Sequence, residues 1–328
     1  MNEGRGGYMF MTGMQEMTLV ESLKGEDLLS LDKLETEEVT GLIELGFVLK
    51  KLAKEGRYPK LLSGKILGMI FEKHSTRTRI SFESGMIHLG GHAMFMNSRD
   101  LQIGRGESVR DTAHVLSGYL DAIMIRANKH TMVQELADEA AIPVINGLTD
   151  IYHPCQALAD LLTIREVKGG LEGRKIAYVG DGNNVAHSLI LAAAHAGMEI
   201  AVATPEGYEP SPDVMETATA IAGKTGGHVS WTSEPDAAVD KADAVYTDVW
   251  TSMGQEEETA ARVEAFKGFM VDDEMIARAK PDFMFLHCLP AHRGEEVAAS
   301  VIDGPNSHVF RQAENRLHAQ KAVLASIM

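Results

Sequence analysis

Short apolar runs alternate with helical patterns along most of the chain, beginning near residue 65. The first run, Lys65–Phe71, is typical of a buried strand. The helical pattern that continues through Ser81–Leu89 stops at Gly90, because glycine readily takes the left-handed conformation that ends helices. Further strands are predicted in this half at Ala93–Asn97, Asp121–Arg126 and Ile142–Asn146.

Helices are predicted between these strands. Val109–Leu120 has a helical pattern, and the spacing of Thr131 and Gln134 predicts a capping box at the start of the next helix. Pro154 suits the first turn of a long helix that ends near residue 169.

The second half repeats this alternation, and a last helix is predicted over Arg311–Ile327. Its strands are predicted at Lys175–Val179, Glu199–Ala203, His228–Trp231, Ala244–Thr247 and Phe283–His287. Alternating strands and helices indicate an α/β protein with parallel sheets and helices on both faces. A glycine-rich break at residues 169–173 separates two similar halves. We expect one domain from residues 1–149 with the C-terminal helix 312–328, and a second from residues 150–311.

Composition narrows the range of partners. The chain has 328 residues and a formal net charge of -16, so its surface repels nucleic acid and anionic membranes, and we expect neither as a partner. Its two cysteines, Cys155 and Cys288, suit a reducing compartment, and the N-terminal segment lacks the apolar core of a signal peptide. The sequence therefore favours a cytoplasmic protein that binds small molecules.

One polar segment follows a predicted strand and opens a predicted helix, and it reads Ser75-Thr76-Arg77-Thr78-Arg79. Ligands of parallel sheets bind beyond the carboxyl ends of strands, and a helix N-terminus offers free N–H groups to an anion. Hydroxyl and guanidinium groups add phosphate-binding capacity, although an ordinary capped helix remains the alternative. The segment resembles the SxRTR signature of the aspartate and ornithine carbamoyltransferase family, and the resemblance extends from about Leu28 to Ala322.

The resemblance implies a carbamoyl-phosphate site in the first half. His153-Pro154-Cys155-Gln156 is similar to the family's HPxQ motif, in which the histidine, an arginine and a threonine bind the carbamoyl oxygen. Arg126 and Thr78 match the arginine and the threonine. Preorganised donors there would stabilise the negative charge that develops on the oxygen. By the same resemblance, the implied carbamoyl-phosphate ligands are Ser75, Thr76, Arg77, Thr78, Gln102, Arg126, His153, Gln156, Cys288, Leu289 and Arg316.

Two of these ligands lie far from the motifs. Gln102 resembles a residue of a family loop that reaches into the phosphate site of a neighbouring subunit, so the resemblance implies a homotrimer. Arg316 resembles an arginine that returns to carbamoyl phosphate from the last helix.

The second half indicates the acceptor. The run Asp248–Gly254 is similar to the DxxxSMG motif of ornithine-specific members, and Asn184 resembles an asparagine that holds ornithine. A carboxylate suits an ammonium group, whereas an aspartate substrate would need cations that this run lacks. The implied ornithine ligands are Asn184, Asp248, Ser252 and Met253.

The run His287-Cys288-Leu289-Pro290 resembles the family's HCLP motif, in which the cysteine contacts the amine substrate and the leucine carbonyl contacts the carbamoyl NH2 group. The implied catalytic residues are Arg126, His153, Asp248 and Cys288. The following residues are similar to the citrulline-forming branch, which implies a role in arginine biosynthesis. No cofactor and no required metal are expected.

Three alternatives remain. Gly180-x-Gly182 could belong to a nicotinamide-binding turn, but Val185 occupies the third glycine position of that fingerprint. Zinc could bind at two pairs of neighbouring residues, His153 with Cys155 and His287 with Cys288, although these pairs lack a standard ligand spacing. The fold could also serve as a binding or regulatory module whose catalytic site has decayed.

Overall fold

The computed structural model describes residues 9–12, 15–103, 106–251 and 259–328. The chain forms two compact units, the first from Met1–Leu162 with Asn315–Met328 and the second from Thr163–Glu314. Both divisions fall inside helices, one in α5 (Pro154–Lys168) and one in α12 (Val309–Ile327). The sequence-based prediction placed these divisions at residues 149–150 and 311–312, close to the starts of these two helices.

Unit 1 contains a four-stranded parallel sheet in the order β4-β3-β5-β6. Its strands are β3 (Ile66–Phe71), β4 (His92–Asn97), β5 (Ala122–Arg126) and β6 (Val144–Leu148). Every residue of β5 is buried, as expected for a strand covered on both faces. Two antiparallel paired strands, β1 (Met9–Thr12) and β2 (Gln15–Thr18), precede the sheet.

Among its described residues, unit 1 has four complete helices, along with parts of α5 and α12. They are α1 (Thr36–Lys54), α2 (Thr76–Leu89), α3 (Val109–Ser117) and α4 (His130–Glu139). Two short 3-10 turns cover Glu21–Leu23 and Ser98–Asp100. The helix α2 ends at Gly90, which has a φ of 87° and therefore a left-handed conformation.

The start of α4 differs from the sequence-based prediction. The helix begins at His130, so Thr131 lies within it and does not form a capping box with Gln134. The cap comes from the distant Asp150 carboxylate, which accepts a hydrogen bond from the His130 N–H at 2.8 Å. A local pattern could not identify this cap, because the acceptor lies 20 residues away along the chain.

Unit 2 contains a five-stranded parallel sheet in the order β11-β10-β7-β8-β9. The strands are β7 (Lys175–Val179), β8 (Glu199–Ala203), β9 (His228–Thr232), β10 (Ala244–Thr247) and β11 (Met284–His287). The helices confined to this unit are α6 (Asn184–His195), α7 (Pro212–Thr225), α8 (Pro235–Val239), α9 (Thr259–Ala265), α10 (Asp273–Ile276) and α11 (Ala299–Ile302).

These observations confirm the predicted fold class, two α/β units that each contain a parallel sheet flanked by helices. Within the described ranges, no helix is long and apolar enough to cross a membrane. Each sheet has a switch point, where the connections that follow two adjacent strands leave in opposite directions. It lies between β3 and β5 in unit 1 and between β7 and β10 in unit 2. Ligands of such sheets bind beyond the strand ends at these points.

Candidate active site

Three polar segments of unit 1 meet at the carboxyl edge of its sheet. Ser75 follows β3, Arg126 ends β5, and His153 lies between β6 and α5. The ends of β3 and β5 are adjacent, since the Glu72 N–H donates to the Arg126 carbonyl at 2.9 Å. The predicted phosphate-binding segment therefore borders the switch point of this sheet.

The side chain of Ser75 organises the start of α2. Its Oγ accepts a hydrogen bond from the Thr78 N–H at 3.1 Å and lies 3.0 Å from Thr78 Oγ1. Ser75 is thus the N-cap, and Thr76 and Arg77 form the first turn, where free N–H groups favour an anion. Arg79 is engaged elsewhere, with its guanidinium 3.8 Å from the Phe95 ring centroid.

A buried hydrogen-bond chain leads from α5 to α12 and α2. The Asp160 carboxylate accepts from Gln156 Nε2 at 2.7 Å, and Gln156 Oε1 accepts from Arg316 Nη1 at 2.7 Å. Arg316 Nη2 lies 3.3 Å from Thr78 Oγ1. The structure therefore brings three predicted ligands together, and it adds Asp160, which the sequence did not single out. We call Asp160, Gln156, Arg316 and Thr78 the buried polar chain.

His153 is buried beside several arginines. Burial is the largest of the causes that hold the pKa of its imidazole well below the ordinary value, and the charges of Arg316, Arg126 and Arg77 lower it further. The imidazole is therefore neutral near pH 7. A neutral ring carries one N–H donor, which suits a developing oxyanion.

Gln102 lies in an exposed loop between the 3-10 turn at Ser98–Asp100 and α3. It makes no hydrogen bond to the described residues of its own chain. Its predicted role in the phosphate site therefore stays a prediction.

The strand ends of unit 2 surround Asp248, which directly follows β10. Its Oδ1 accepts from the Val249 N–H at 2.8 Å and from the Cys288 thiol at 2.9 Å. Its Oδ2 accepts from Asn183 Nδ2 at 3.0 Å. Asp248 and Cys288, two predicted catalytic residues, are thus in direct contact, and Asn184 is the first residue of α6.

Leu289 has an unusual backbone conformation, with a φ of 60°. A branched side chain rarely adopts this left-handed region, and the cost is about 1–3 kcal/mol. The Leu289 N–H donates to His287 Nδ1 at 2.8 Å, and His287 Nε2 lies 3.3 Å from a carboxylate oxygen of Glu296. Nδ1 must therefore be the unprotonated nitrogen, and Nε2 donates to Glu296. These contacts fix the backbone predicted to contact the carbamoyl group.

The turn after β7 explains its glycines without a dinucleotide. A Cβ atom at Gly182 would lie 2.4 Å from the backbone nitrogen of Pro210, so only glycine fits. The neighbouring Asp181 is paired with Arg262, whose Nη1 lies 2.7 Å away in a buried position. The glycine pattern therefore reflects the close approach of two backbone segments.

Ser252 and Met253, the remaining predicted ornithine ligands, lie outside the described residues. Their predicted contacts stay predictions. Arg262 is in α9, the first helix after this segment, and it also donates to the Trp250 carbonyl at 3.0 Å, so buried hydrogen bonds hold both flanks of the segment.

Two groups of side chains in the described ranges have donor atoms close enough to suggest a metal site. In the group of Asp248, His287 and Cys288 these atoms lie within 4.8 Å of one another. Both His287 nitrogens and Asp248 Oδ1 are already used in the contacts described above, so this group is a poor zinc site. The second group, His292, Glu295 and Glu296, shares Glu296 with His287.

Comparison with known proteins agrees with this arrangement. Residues 26–166 match the family model "Aspartate/ornithine carbamoyltransferase, carbamoyl-P binding domain", and residues 172–327 match "Aspartate/ornithine carbamoyltransferase, Asp/Orn binding domain". The chain is 59% identical over 312 residues to an ornithine carbamoyltransferase of Anoxybacillus flavithermus, covering 95% of this chain and 99% of the relative. It is 56% identical over 307 residues to the Bacillus subtilis enzyme, covering 94% and 95%.

A solved structure gives the same result. The ornithine carbamoyltransferase from Pyrococcus furiosus superimposes with a TM-score of 0.91 at 55% identity, covering 93% of this chain and 98% of that one. The resemblance found in the sequence motifs is therefore confirmed, and the chain belongs to the aspartate/ornithine carbamoyltransferase family.

Proposed function

We propose that the chain transfers the carbamoyl group of carbamoyl phosphate to the side-chain amine of L-ornithine, giving L-citrulline and phosphate. The observation that carries this proposal is the carboxylate of Asp248 at the switch point of unit 2, hydrogen-bonded to Cys288 at 2.9 Å. A carboxylate in this place suits an ammonium-bearing acceptor. It does not suit the two carboxylates of aspartate.

Carbamoyl phosphate binds first, because its proposed ligands are the cationic ones. Arg77 and the first turn of α2 bind the phosphate oxygens, since guanidinium groups and free helix N–H groups both favour an anion. The full proposed set is Ser75, Thr76, Arg77, Thr78, Gln102, Arg126, His153, Gln156, Cys288, Leu289 and Arg316.

Carbonyl activation depends on Arg126, His153 and Thr78. Attack by the amine moves negative charge onto the carbamoyl oxygen, and donors fixed beforehand stabilise that charge. The neutral state of His153 leaves a single N–H to donate, and three arginines, Arg316, Arg126 and Arg77, supply the positive charge around it. Removal of one such donor typically lowers the rate about a hundred- to a thousand-fold.

The α-amino and α-carboxylate groups of ornithine bind to four residues, Asn184, Asp248, Ser252 and Met253. Its side-chain amine has a free pKa of about 10, like lysine, and must lose a proton before it attacks. Cys288, and Asp248 through its hydrogen bond to the Cys288 thiol, help to orient this amine or to take up the proton. The new C–N bond forms as the C–O bond to phosphate breaks, and the departing phosphate can accept the amine proton, so no dedicated protein base is needed.

The decisive experiment measures ureido products colorimetrically with carbamoyl phosphate and four acceptors, namely ornithine, aspartate, N-acetylornithine and putrescine. We expect product with ornithine alone. Product with another acceptor would reassign the substrate, and activity with none would favour a binding module.

A substitution then tests the acceptor site. Asp248→Ala should raise the KM for ornithine much more than the KM for carbamoyl phosphate. Asp240→Ala, at an exposed carboxylate of the same unit, is the control and should change neither. Equal effects of Asp248→Ala on both KM values would place the amine site elsewhere.

We further propose that the chain assembles as a homotrimer. Three large apolar side chains on α2 and β4 are exposed, with 56% of Ile80, 60% of Ile87 and 51% of Met94 accessible. A second copy of unit 1 would bury them, which removes apolar surface from water. Sedimentation analysis of Ile87→Glu tests this, with a shift to monomer expected and an unchanged trimer refuting this surface as the interface.

A cytoplasmic role in arginine biosynthesis completes the proposal. Neither Cys155 nor Cys288 forms a disulfide bond, which suits a reducing compartment. The run Ala291–Val297 resembles the biosynthetic branch of the family. Restoration of growth without arginine in a host that lacks its own carbamoyltransferase would test the role.

A further inference from the structure

We propose that Asn183 is a positioning residue that fixes the orientation of the Asp248 carboxylate and thereby sets the affinity for the α-ammonium group of ornithine. The inference rests on the proposed function, in which Asp248 binds the amine substrate. It assigns a role to a residue that touches Asp248 and that none of the sequence motifs above includes.

Asn183 is held on one side by the start of α6. Its Oδ1 accepts hydrogen bonds from the Val185 N–H at 2.9 Å and the Ala186 N–H at 3.1 Å, as an N-cap does. The hydroxyl of Tyr178 lies 3.5 Å from the same oxygen. Burial, with the charges of Asp248 and Asp181, holds the pKa of Tyr178 well above its ordinary value, so this hydroxyl keeps its proton and can donate.

These donors determine which end of the amide faces Asp248. An amide has one oxygen that accepts and one nitrogen that donates. Two backbone N–H groups at one end require the oxygen there, so Nδ2 must point to the other end. There it donates to Asp248 Oδ2 at 3.0 Å, and a carboxylate can only accept. The reversed amide would set donors against donors and an oxygen against a carboxylate.

The contact restricts the free lone pairs of Asp248. Its Oδ1 already accepts from the Val249 N–H and the Cys288 thiol. Its Oδ2 accepts from Asn183 and keeps a further lone pair, to which an ammonium group can donate. Without Asn183 the carboxylate would lose one of three anchors and could rotate, so ornithine binding would have to restore its orientation at a cost in affinity.

The neighbouring asparagines therefore have different roles. Asn184 is the expected direct ligand, whereas Asn183 acts through Asp248 from the switch point between β7 and β10. An N-cap role alone would also explain Asn183, so the experiment must separate capping from donation.

Two substitutions make that separation. Ser caps a helix about as well as Asn but has no amide to reach Asp248, whereas Ala does neither. We expect Asn183→Ser to raise the KM for ornithine roughly tenfold while the Tm and the KM for carbamoyl phosphate stay unchanged, since a hydrogen bond to a charged group is lost. Asn183→Ala should raise the KM similarly and also lower the Tm by about 2 to 4 °C.

Asp272 offers a matched control. It caps α10 in the same unit by accepting from the N–H groups of Glu274 and Met275, and it has no contact with Asp248. Asp272→Ala should lower the Tm without changing the KM for ornithine.

Two ornithine analogues provide a readout that altered helix stability would not produce. L-2-aminopentanoate keeps the α-ammonium group, whereas 5-aminopentanoate lacks it. Asn183→Ser should weaken inhibition by the first roughly tenfold and leave inhibition by the second unchanged.

The outcomes are distinct. If the parent chain forms citrulline and Asn183→Ser keeps the parent KM for ornithine, the inference is wrong and the proposed function stands. Equal weakening of both analogues, or of both substrates, would also overturn it, because the change would then be a general distortion. Absence of citrulline formation by the parent chain would overturn the function and the inference together.

Discussion

The buried polar chain predicts that Asp160 controls the binding of carbamoyl phosphate, although it is not among the proposed ligands. Asp160 is fully buried, and its carboxylate can only accept, so it accepts from the Gln156 NH2 group at 2.7 Å. Gln156 must then turn its oxygen to Arg316, whose guanidinium can only donate. Asp160 thereby determines which groups donate and which accept along the buried polar chain as far as Thr78.

Asp160→Asn tests this ordering with little change in volume. The asparagine oxygen can still accept from Gln156, but the hydrogen bond is no longer charge-assisted. Such a bond contributes about 1.5–3 kcal/mol, against about 0.5–1.5 kcal/mol for a neutral one. The difference is about 1 kcal/mol, a factor of about five in an equilibrium constant. In this variant Gln156 can also reverse its amide and still hydrogen-bond to the substituted side chain at position 160. Its NH2 group would then face the donors of Arg316.

The assay compares the two substrates. We expect the KM for carbamoyl phosphate, and the inhibition constant of phosphate, to rise about fivefold. The KM for ornithine should remain unchanged, because its proposed ligands are outside the buried polar chain. Asp138→Asn is the matched control, since Asp138 also accepts from a glutamine side chain one helical turn away, but at an exposed site.

A parent-like KM for carbamoyl phosphate in Asp160→Asn would refute the reasoning. So would an equal rise in both KM values, because a general loss of structure, and not a loss of order around Arg316, would then explain the result.

Three further predictions concern binding and stability. Arg77→Ala should abolish binding of a phosphonate analogue in calorimetry, and an unchanged dissociation constant would exclude the proposed phosphate site. Burial raises the pKa of Glu296, but hydrogen bonds from His287 and the His292 N–H outweigh it and lower the pKa overall. The charged form therefore stabilises the fold at pH values above the pKa that Glu296 has in the unfolded chain. Glu296→Gln should lower the free energy of unfolding by about 1 kcal/mol near pH 7, and by less as the pH falls below that unfolded-state pKa. Burial, with the charge of Lys321, lowers the pKa of His318 to about 3, so stability is lost as the pH falls below about 6.5. In urea unfolding, the contribution of His318 should lower the free energy of unfolding by about 2 kcal/mol between pH 7.5 and pH 5. His318→Leu should remove this pH-dependent loss. A loss of the same size in the variant would contradict the assignment.

The sequence predicted roles for several residues that the structure places at strand ends. Arg126 and His153 could be found because a parallel sheet collects its ligands at one edge, and the alternation of apolar runs located that edge. The same pattern identified Asp248. Family motifs supplied Arg316, which local sequence could not relate to the first unit.

Residues that support others were missed for a physical reason. Asp160 looks like an ordinary helix residue four positions after Gln156, and Asn183 looks like a cap. Their importance depends on the partner at the other end of the side chain, and in both cases that partner is visible only in three dimensions. The failed capping box at Thr131 is the opposite case, because a distant Asp150 replaced the local signal.

The division of α12 between the units has a consequence for biosynthesis on the ribosome. Residues 315–328 belong to unit 1, although all of unit 2 is translated before them. A nascent chain that has emerged only as far as residue 314 therefore lacks Arg316 and the helical segment that completes the first unit. The second unit can fold while the first still waits for its last segment. The proposed carbamoyl-phosphate pocket is then completed only after all of unit 2 has been translated.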